Sequence, residues 1–456
     1  MNVVILGRKT HRKHYVGWDM AGGYGLATSV GPSWGAKLIE WGKSSAINVP
    51  SLSAAYLAAI FHKEGHSVSV DEKDLNRADL VFIPSSIVNF RGEIRFAQEL
   101  KNRYRFTLGF YGPFSSFVPE PYLEVADFVI QGEPEEAAIR IANGMTPQGK
   151  VVSQRIAPLD QLPFPKWDIF DTSQFRFSPS RRRPFFPVLT SRGCSFGCNY
   201  CPYKAAIPET RFREIEQVIE EIRYLKKDFG VQGILFRDPI FSINKNRSAH
   251  FAQRLIEEKF DLKWSCETRV DCLTFPLVDL LRESGLCHIG IGVETVNESE
   301  MKRLKRGVIA QDRQREMIQY CESRGITILA NYTFGYPNDT RETLCQTVDY
   351  AKSLNTTFAN FFLVTPYPGT EYYEQVKGYL LENDWEKFDT CHMVLSHHSL
   401  KPEEFERIRE QTFLEYYYRP KWILKYLRWK WSRDFENGQN GFHREALEPQ
   451  TTAEPV

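Results

Sequence analysis

Three cysteines stand out as residues that could do chemistry. The segment TSRGCSFGCNYCPY places Cys194, Cys198 and Cys201 with three and then two residues between them. Thiolates are the ligands that hold iron–sulfur clusters, and close spacing lets one loop wrap a single cluster. Gly193 and Gly197 allow that loop to bend where side chains would clash. Three protein thiolates leave one iron of a four-iron cluster open to a small-molecule ligand. Zinc is the rival reading, but it takes four ligands and no His or Cys follows at finger spacing; His250 and Cys266 lie far along the chain. No cysteine precedes Cys194, and six others are scattered from Cys266 to Cys391. That distribution is not a disulfide framework, which belongs to small secreted domains. The six read as buried packing residues.

The elements that position the triplet form an alternation. Strand-like runs are expected at 188–190, 233–237, 263–269, 288–293, 327–334 and 360–365. Helical spacing fills 214–227, 248–259, 277–284, 311–323 and 341–353. Six strand–helix repeats predict a partial (β/α)6 barrel over 188–375, with the cysteines in the loop after its first strand. A first domain over 1–145 alternates in the same way, with strands at 3–7, 67–71, 80–84, 106–111 and 128–131. Its helices are expected at 52–62, closed by Gly65, and near 93–104, which makes a doubly wound, mostly parallel sheet. Prolines in LPFPKWDIFD and SPSRRRPFFP mark a linker over 146–187. Residues 376–456 read as helical, with a polar tail.

Composition adds bounds. The 456 residues are 42% apolar and 25% charged with net charge +1, so no nucleic-acid partner is expected. The apolar run in MNVVILGRKTHRKHY is too short for a signal peptide, and no stretch is long and apolar enough to span a bilayer. A cytoplasmic location is the expectation. The stretch PKWILKYLRWKW interleaves aromatic and basic residues. A helix docking its aromatics on the barrel is expected, and peripheral contact with an anionic membrane is the alternative.

The cysteine segment resembles the radical S-adenosylmethionine (SAM) family, and the resemblance extends over most of the chain. It implies a [4Fe–4S] cluster on Cys194, Cys198 and Cys201 whose open iron is chelated by SAM. Reductive cleavage would then give methionine and a 5′-deoxyadenosyl radical, with electrons from a donor such as flavodoxin or ferredoxin. The resemblance places Tyr200 near the adenine, although a tyrosine there equally suits ordinary packing. LFRDPIFSINKNR resembles the second barrel strand, with Asp238 facing the methionine moiety and Pro239 where many relatives carry a second acid. CETRVD resembles the third, with Arg269 a partner for a SAM carboxylate or carboxamide. IGIGVET resembles the fourth, with Glu294 a ribose or methionine contact; for each charged residue a solvated loop or an ion pair is the bland alternative. FGYPNDT and TPYPGT resemble the loops after strands five and six.

VPSLSAAYLAAIFHKEGHSVSVDE, LGFYGPFSS and ADFVIQGEPEEAA resemble the cobalamin-binding domain of one subgroup, and LPFPKWDIFD resembles its connector. RIREQTFLEYYYRPKWILKYLRWKW resembles the C-terminal helices of anaerobic Mg-protoporphyrin cyclase and certain methyltransferases. The Asp-x-His-x-x-Gly motif that gives cobalt a lower ligand is absent. Residues 34–45 and 111–114 would line the corrin pocket, or simply pack as loops. The implied activity is methylation of an unactivated carbon in a small or lipid-like biosynthetic substrate. Cyclisation, oxidation or rearrangement is the alternative, and a non-catalytic sensor or scaffold a third. FGYP and TPYPGT also occur in tRNA methylthiolating relatives, but those carry a second cysteine triplet in the N-terminal domain.

Overall fold

A computed structural model describes residues 1–6, 15–16, 21–44, 47–177, 179–180 and 182–438, with side chains as far as Trp431. The first sheet holds β1 (Asn2–Ile5), β2 (Ser67–Ser69), β3 (Leu80–Pro84), β4 (Thr107–Tyr111), β5 (Phe128–Gln131) and β6 (Gly149–Val152). All its pairings are parallel, in the order β2-β1-β3-β4-β5-β6. Parallel sheets are covered on both faces, so their strands are apolar throughout; every residue of β3 (LVFIP) is buried. Helix α1 (Trp34–Ser44) precedes the covering helices α2 (Leu52–Lys63), α3 (Phe90–Arg103) and α4 (Pro134–Ala142). Strand order reverses between β1 and β3, and doubly wound sheets bind ligands beyond the carboxyl ends of their strands at such a point.

Two expectations fail here. β6 falls inside the segment read as a linker and pairs with β5 from Phe128 to Gln131. Its sequence GKVV is an edge strand with only Val151 buried, too short and too polar to signal a strand. Residues 34–44 form helix α1 instead of a loop, and Ser45 lies outside the described residues. α1 packs on a C-terminal helix, where Tyr418 Oη donates to the Gly35 carbonyl at 3.1 Å.

The second sheet runs β7 (Phe185–Val188), β8 (Gly233–Phe236), β9 (Lys263–Thr268), β10 (Leu286–Glu294), β11 (Thr327–Phe334) and β12 (Phe358–Leu363). These strands pair in parallel and in sequence order, with β7 and β12 as the edges of an open barrel. β7 begins before the expected position because Pro187 sits in it; an edge strand tolerates the missing N–H. The intervening helices are α5 (Pro202–Ala206), α6 (Ile215–Phe229), α7 (Lys245–Glu258), α8 (Phe275–Glu283), α9 (Gln311–Ser323) and α10 (Arg341–Leu354).

Beyond the barrel, α11 (Pro402–Tyr417) and α12 (Pro420–Gly438) close the β12 edge. Phe413 meets Phe361 edge-on at 5.1 Å. α12 docks as well: Trp422 Nε1 donates to the Thr357 carbonyl at 3.0 Å, and Trp429 packs on Phe358 at 5.2 Å. Lys425 pairs with Glu322 at 2.6 Å. No helix among the described residues is long and apolar enough to cross a membrane.

Candidate functional site

The cysteine loop joins β7 to α5 and is pinned from several sides. Cys194 N–H donates to Ile207 at 3.2 Å, and Asn199 N–H donates to Leu304 at 3.1 Å. Gly193 takes φ +83°, and a Cβ there would sit 2.0 Å from the Glu209 carbonyl oxygen, so only glycine fits. Cys194 and Cys198 are buried and Cys201 is half-buried. Burial, and then the neighbouring thiols, push the Cys201 thiol up to about 12. Burial raises Cys194 too. The bare Cys194 and Cys201 thiols are therefore protonated at neutral pH, and binding iron there must displace protons. Among the described residues no three His, Cys, Asp or Glu side chains surround one ion position. A cluster spreads its thiolates over separate irons, and three thiolates on one loop are the donor set such a cluster takes.

Asp238 has a different task from the one its position implied. Its carboxylate accepts from Thr190 N–H at 2.7 Å, Thr190 Oγ1 at 2.5 Å and Ser191 Oγ at 2.6 Å. Fully buried, it braces the turn that leads into the cysteines. Asp238→Ala would leave those donors unpaired, at about 1–3 kcal/mol each. We expect a lower thermal midpoint and less iron per chain, with SAM affinity unchanged in protein that keeps its cluster. A selective loss of SAM affinity would return Asp238 to the ligand.

Tyr200 and Glu294 do come together, through an arginine that the sequence reading passed over. Arg306 donates to Tyr200 Oη at 3.3 Å and to the Gly292 carbonyl at 2.6 Å, and lies 3.5 Å from Glu294. Glu294 also accepts from Thr333 Oγ1 at 2.9 Å. It takes φ +68° where the β10–β11 register shifts, a strained conformation for a residue with a Cβ. Burial holds the Tyr200 phenol well above its usual range. In MKRLKRG, Arg306 reads as one more solvated cation, and only the fold reveals its partners. Arg269 stacks 4.3 Å over Phe196 of the cysteine loop and grips Asp271 at 2.9 and 2.6 Å. Its Nη1 is buried without a partner, a donor that needs an acceptor the described residues do not supply.

Asp339, in FGYPNDT, accepts from the Gly335 and Tyr336 N–H groups at 2.8 and 3.0 Å. Burial pushes its carboxyl up to about 7. A folded-state value above the ordinary 3.8 means the ionised form is disfavoured by folding, so stability falls as pH rises from about 4 to about 7. Asp339→Asn keeps an acceptor without the charge. It should stabilise the fold by about 2–4 kcal/mol at pH 8, shrinking toward pH 4, in denaturation curves across pH. A gain independent of pH would contradict the assignment.

A cavity of about 220 Å³ lies between the two sheets. Its walls come from the carboxyl ends of β3, β4 and β5 (Pro84 and Ser85, Tyr111 to Pro113, Gly132 to Glu135). The opposite wall is Ser191, Arg192 and Gly193, the run leading straight into Cys194. The expected 111–114 turn is present, whereas residues 34–44 do not line the cavity. Gly112, at φ +124°, leaves room that a Cβ would take 2.9 Å from Ser85 Oγ. Arg192 ties the walls together, 2.7 Å from Glu135 and 3.4 Å from Glu133, over the Tyr56 ring.

The sequence matches the radical SAM superfamily over residues 188–351. Those residues, which hold the cysteine loop, form a radical SAM domain. A radical SAM protein is an enzyme that uses a [4Fe–4S] cluster and SAM, and the cysteine loop has the donors such a cluster requires. The chain is 25% identical to an uncharacterized methyltransferase of Pyrococcus horikoshii over 417 residues, covering 82% of this chain and 89% of the relative. It is 26% identical to the anaerobic magnesium-protoporphyrin IX monomethyl ester cyclase of Rubrivivax gelatinosus over 305 residues, 62% of this chain and 54% of that one. Its fold is similar to that of the radical SAM methyltransferase TsrM from Kitasatospora setae, solved with cobalamin and a [4Fe–4S] cluster bound. The TM-score is 0.62 at 15% identity, covering 84% of this chain and 76% of that one.

Proposed function

We propose that this chain is a cobalamin-dependent radical SAM methyltransferase acting on an unactivated carbon, with its cluster on Cys194, Cys198 and Cys201. The observation that carries the reading is the shared wall. The glycine-lined cavity at the switch-point end of the first sheet is bounded by Arg192 and Gly193, the residues that open the cysteine loop. A corrin there would sit beside the cluster. The relative named a methyltransferase and the neighbour solved with cobalamin support the same reading.

When bound, the cluster and SAM supply a carbon-centred radical and the corrin supplies a transferable methyl group. The chain's own residues bind and orient. The unmet Arg269 Nη1 donor would hold a SAM carboxylate, and Glu294, oriented by Arg306 and Thr333, would accept from SAM hydroxyls or its amine. Tyr200, bonded to Arg306, would pack against the adenine. Burial of the Tyr203 phenol, which holds it at about 12, keeps it neutral where it lines the cavity. Electrons would come from a cytosolic donor of the flavodoxin or ferredoxin type.

The test is anaerobic reconstitution with iron, sulfide and hydroxocobalamin, followed by visible spectra and product analysis. Stoichiometric corrin, S-adenosylhomocysteine and a product heavier by one methyl are expected. A full cluster without corrin would overturn the cobalamin assignment. Bound corrin with a ring-closed, unmethylated product would favour cyclisation, the activity named for the Rubrivivax relative.

A further inference from the structure

A row of polar side chains at the open edge of the barrel presents hydrogen-bond donors without matching acceptors. Burial alternates along β11 and β12: Ala330, Tyr332, Ala359 and Phe361 are buried, while Asn331, Thr333, Asn360 and Phe362 stay partly accessible. Side chains alternate between the faces of a strand, and Phe361 packs under α11, so the accessible set faces the lumen. Asn331 and Asn360 are opposite each other in register, and Asn360 Nδ2 donates to Asn331 Oδ1 at 3.1 Å. Lys43 of α1 completes the row. Its Nζ donates to Asn360 Oδ1 at 2.9 Å and lies 4.7 Å from the centre of the Phe413 ring.

Both amide oxygens are thereby engaged, and among the described residues the remaining N–H donors of Lys43 and the Asn331 amide have no acceptor. Among the described residues no carboxylate pairs with Lys43. Glu40 of the same helix is committed to Lys37 at 2.9 Å and to the Val30 and Gly31 N–H groups. The nearby Arg409 guanidinium is committed to the Phe361, Val30 and Ser29 carbonyls and to Cys391 Sγ. Burial, and then the Arg409 charge, hold the Lys43 ammonium down at about 8. A partly buried cation whose nearest carboxylate, Glu40, is shared with Lys37 and two backbone N–H groups is poorly compensated, and an anion that fills the site removes the cost.

We propose that Lys43, with Asn360 and Asn331, binds an oxyanion of the substrate inside the barrel, which makes the substrate an organic acid bearing a carboxylate or phosphate. The inference deepens the methyltransferase reading and rests on it for the word substrate. Thr333 lies two residues beyond Asn331 on the same face and bonds Glu294, so the oxyanion site is one layer below the proposed SAM contacts.

The experiment uses enzyme loaded with cluster and SAM, as wild type, Lys43→Met and Lys43→Arg. Benzoate, phenyl phosphate and neutral benzamide are titrated as probes by saturation-transfer NMR. At least one anion should bind the wild type, weaken about tenfold or more in Lys43→Met, and change little in Lys43→Arg. Which anion binds more tightly separates a carboxylate site from a phosphate site, and benzamide should not discriminate among the proteins. The proposal is overturned if neither anion binds the wild type, or if Lys43→Met binds them equally well. Should Lys43→Met fail to fold, Asn360→Leu is read by the same criteria. Formation of 5′-deoxyadenosine by the wild type is measured on the same samples. Its absence would defeat the radical SAM reading while leaving the anion result standing.

Discussion

Cys198→Ala should yield a folded protein that carries little iron and releases no 5′-deoxyadenosine. The side chain is buried, and cysteine there packs as a small hydrophobe, so alanine removes one sulfur and costs on the order of 1 kcal/mol. The loss to the cluster is far larger, because a three-thiolate loop has no spare ligand. Cys345→Ala is the matched control: Cys345 is exposed on α10, away from the loop, and iron content should not change. Iron and sulfide per chain, circular dichroism and SAM cleavage separate the two effects. A Cys198→Ala protein with full iron and full SAM cleavage would place the cluster elsewhere. The protonated state of the bare Cys194 and Cys201 thiols adds a second expectation. With Cys201 near 12, each of these two releases a proton on binding iron, so reconstitution should be more complete at pH 8.5 than at pH 7.

The parts of this molecule that were legible in the sequence are those written locally. Cysteine spacing and flanking glycines name the loop. The run at 327–334 alternates so regularly that its bounds coincide with β11, Thr327–Phe334. Other features depend on what arrives from elsewhere in the chain. Asp238 reads as a ligand because it ends a barrel strand, but its oxygens are taken by Thr190 and Ser191, which the neighbouring strand brings alongside. Arg306 has no local mark, and its meaning comes from Tyr200 and Glu294, which converge on it in space. α1 was hidden by the glycines of WGAKLIEWGK, where Gly35 lies under Leu414 and Tyr418, a packing reason that composition cannot display. β6 was hidden because an edge strand needs little apolar surface.

Arg192 should prove the residue whose loss most damages the join between the two sheets. It stands two positions before Cys194, and its side chain is 10% exposed against 2% for Glu135 and 8% for Glu133. Burial alone would pull its pKa down, but the Glu135 and Glu133 carboxylates hold it above its ordinary value. The guanidinium is therefore a fixed charge shared by the first-sheet loop, α4 and the cysteine loop. Arg192→Ala would strand the buried Glu135 carboxylate, while Glu133 keeps its bond to Arg211, and removing one partner of such a pair costs about 3–5 kcal/mol. We expect that loss in denaturant unfolding, with a fall in both iron and corrin content because the shared wall loosens. Arg192→Ala combined with Glu135→Gln should recover part of the stability, since the stranded charge is gone. It should not recover corrin content, because the tie across the cavity remains cut. An Arg192→Ala protein within 1 kcal/mol of wild type would mean that water reaches the ion pairs. The cysteine loop would then owe its position to its own hydrogen bonds and to Asp238 alone.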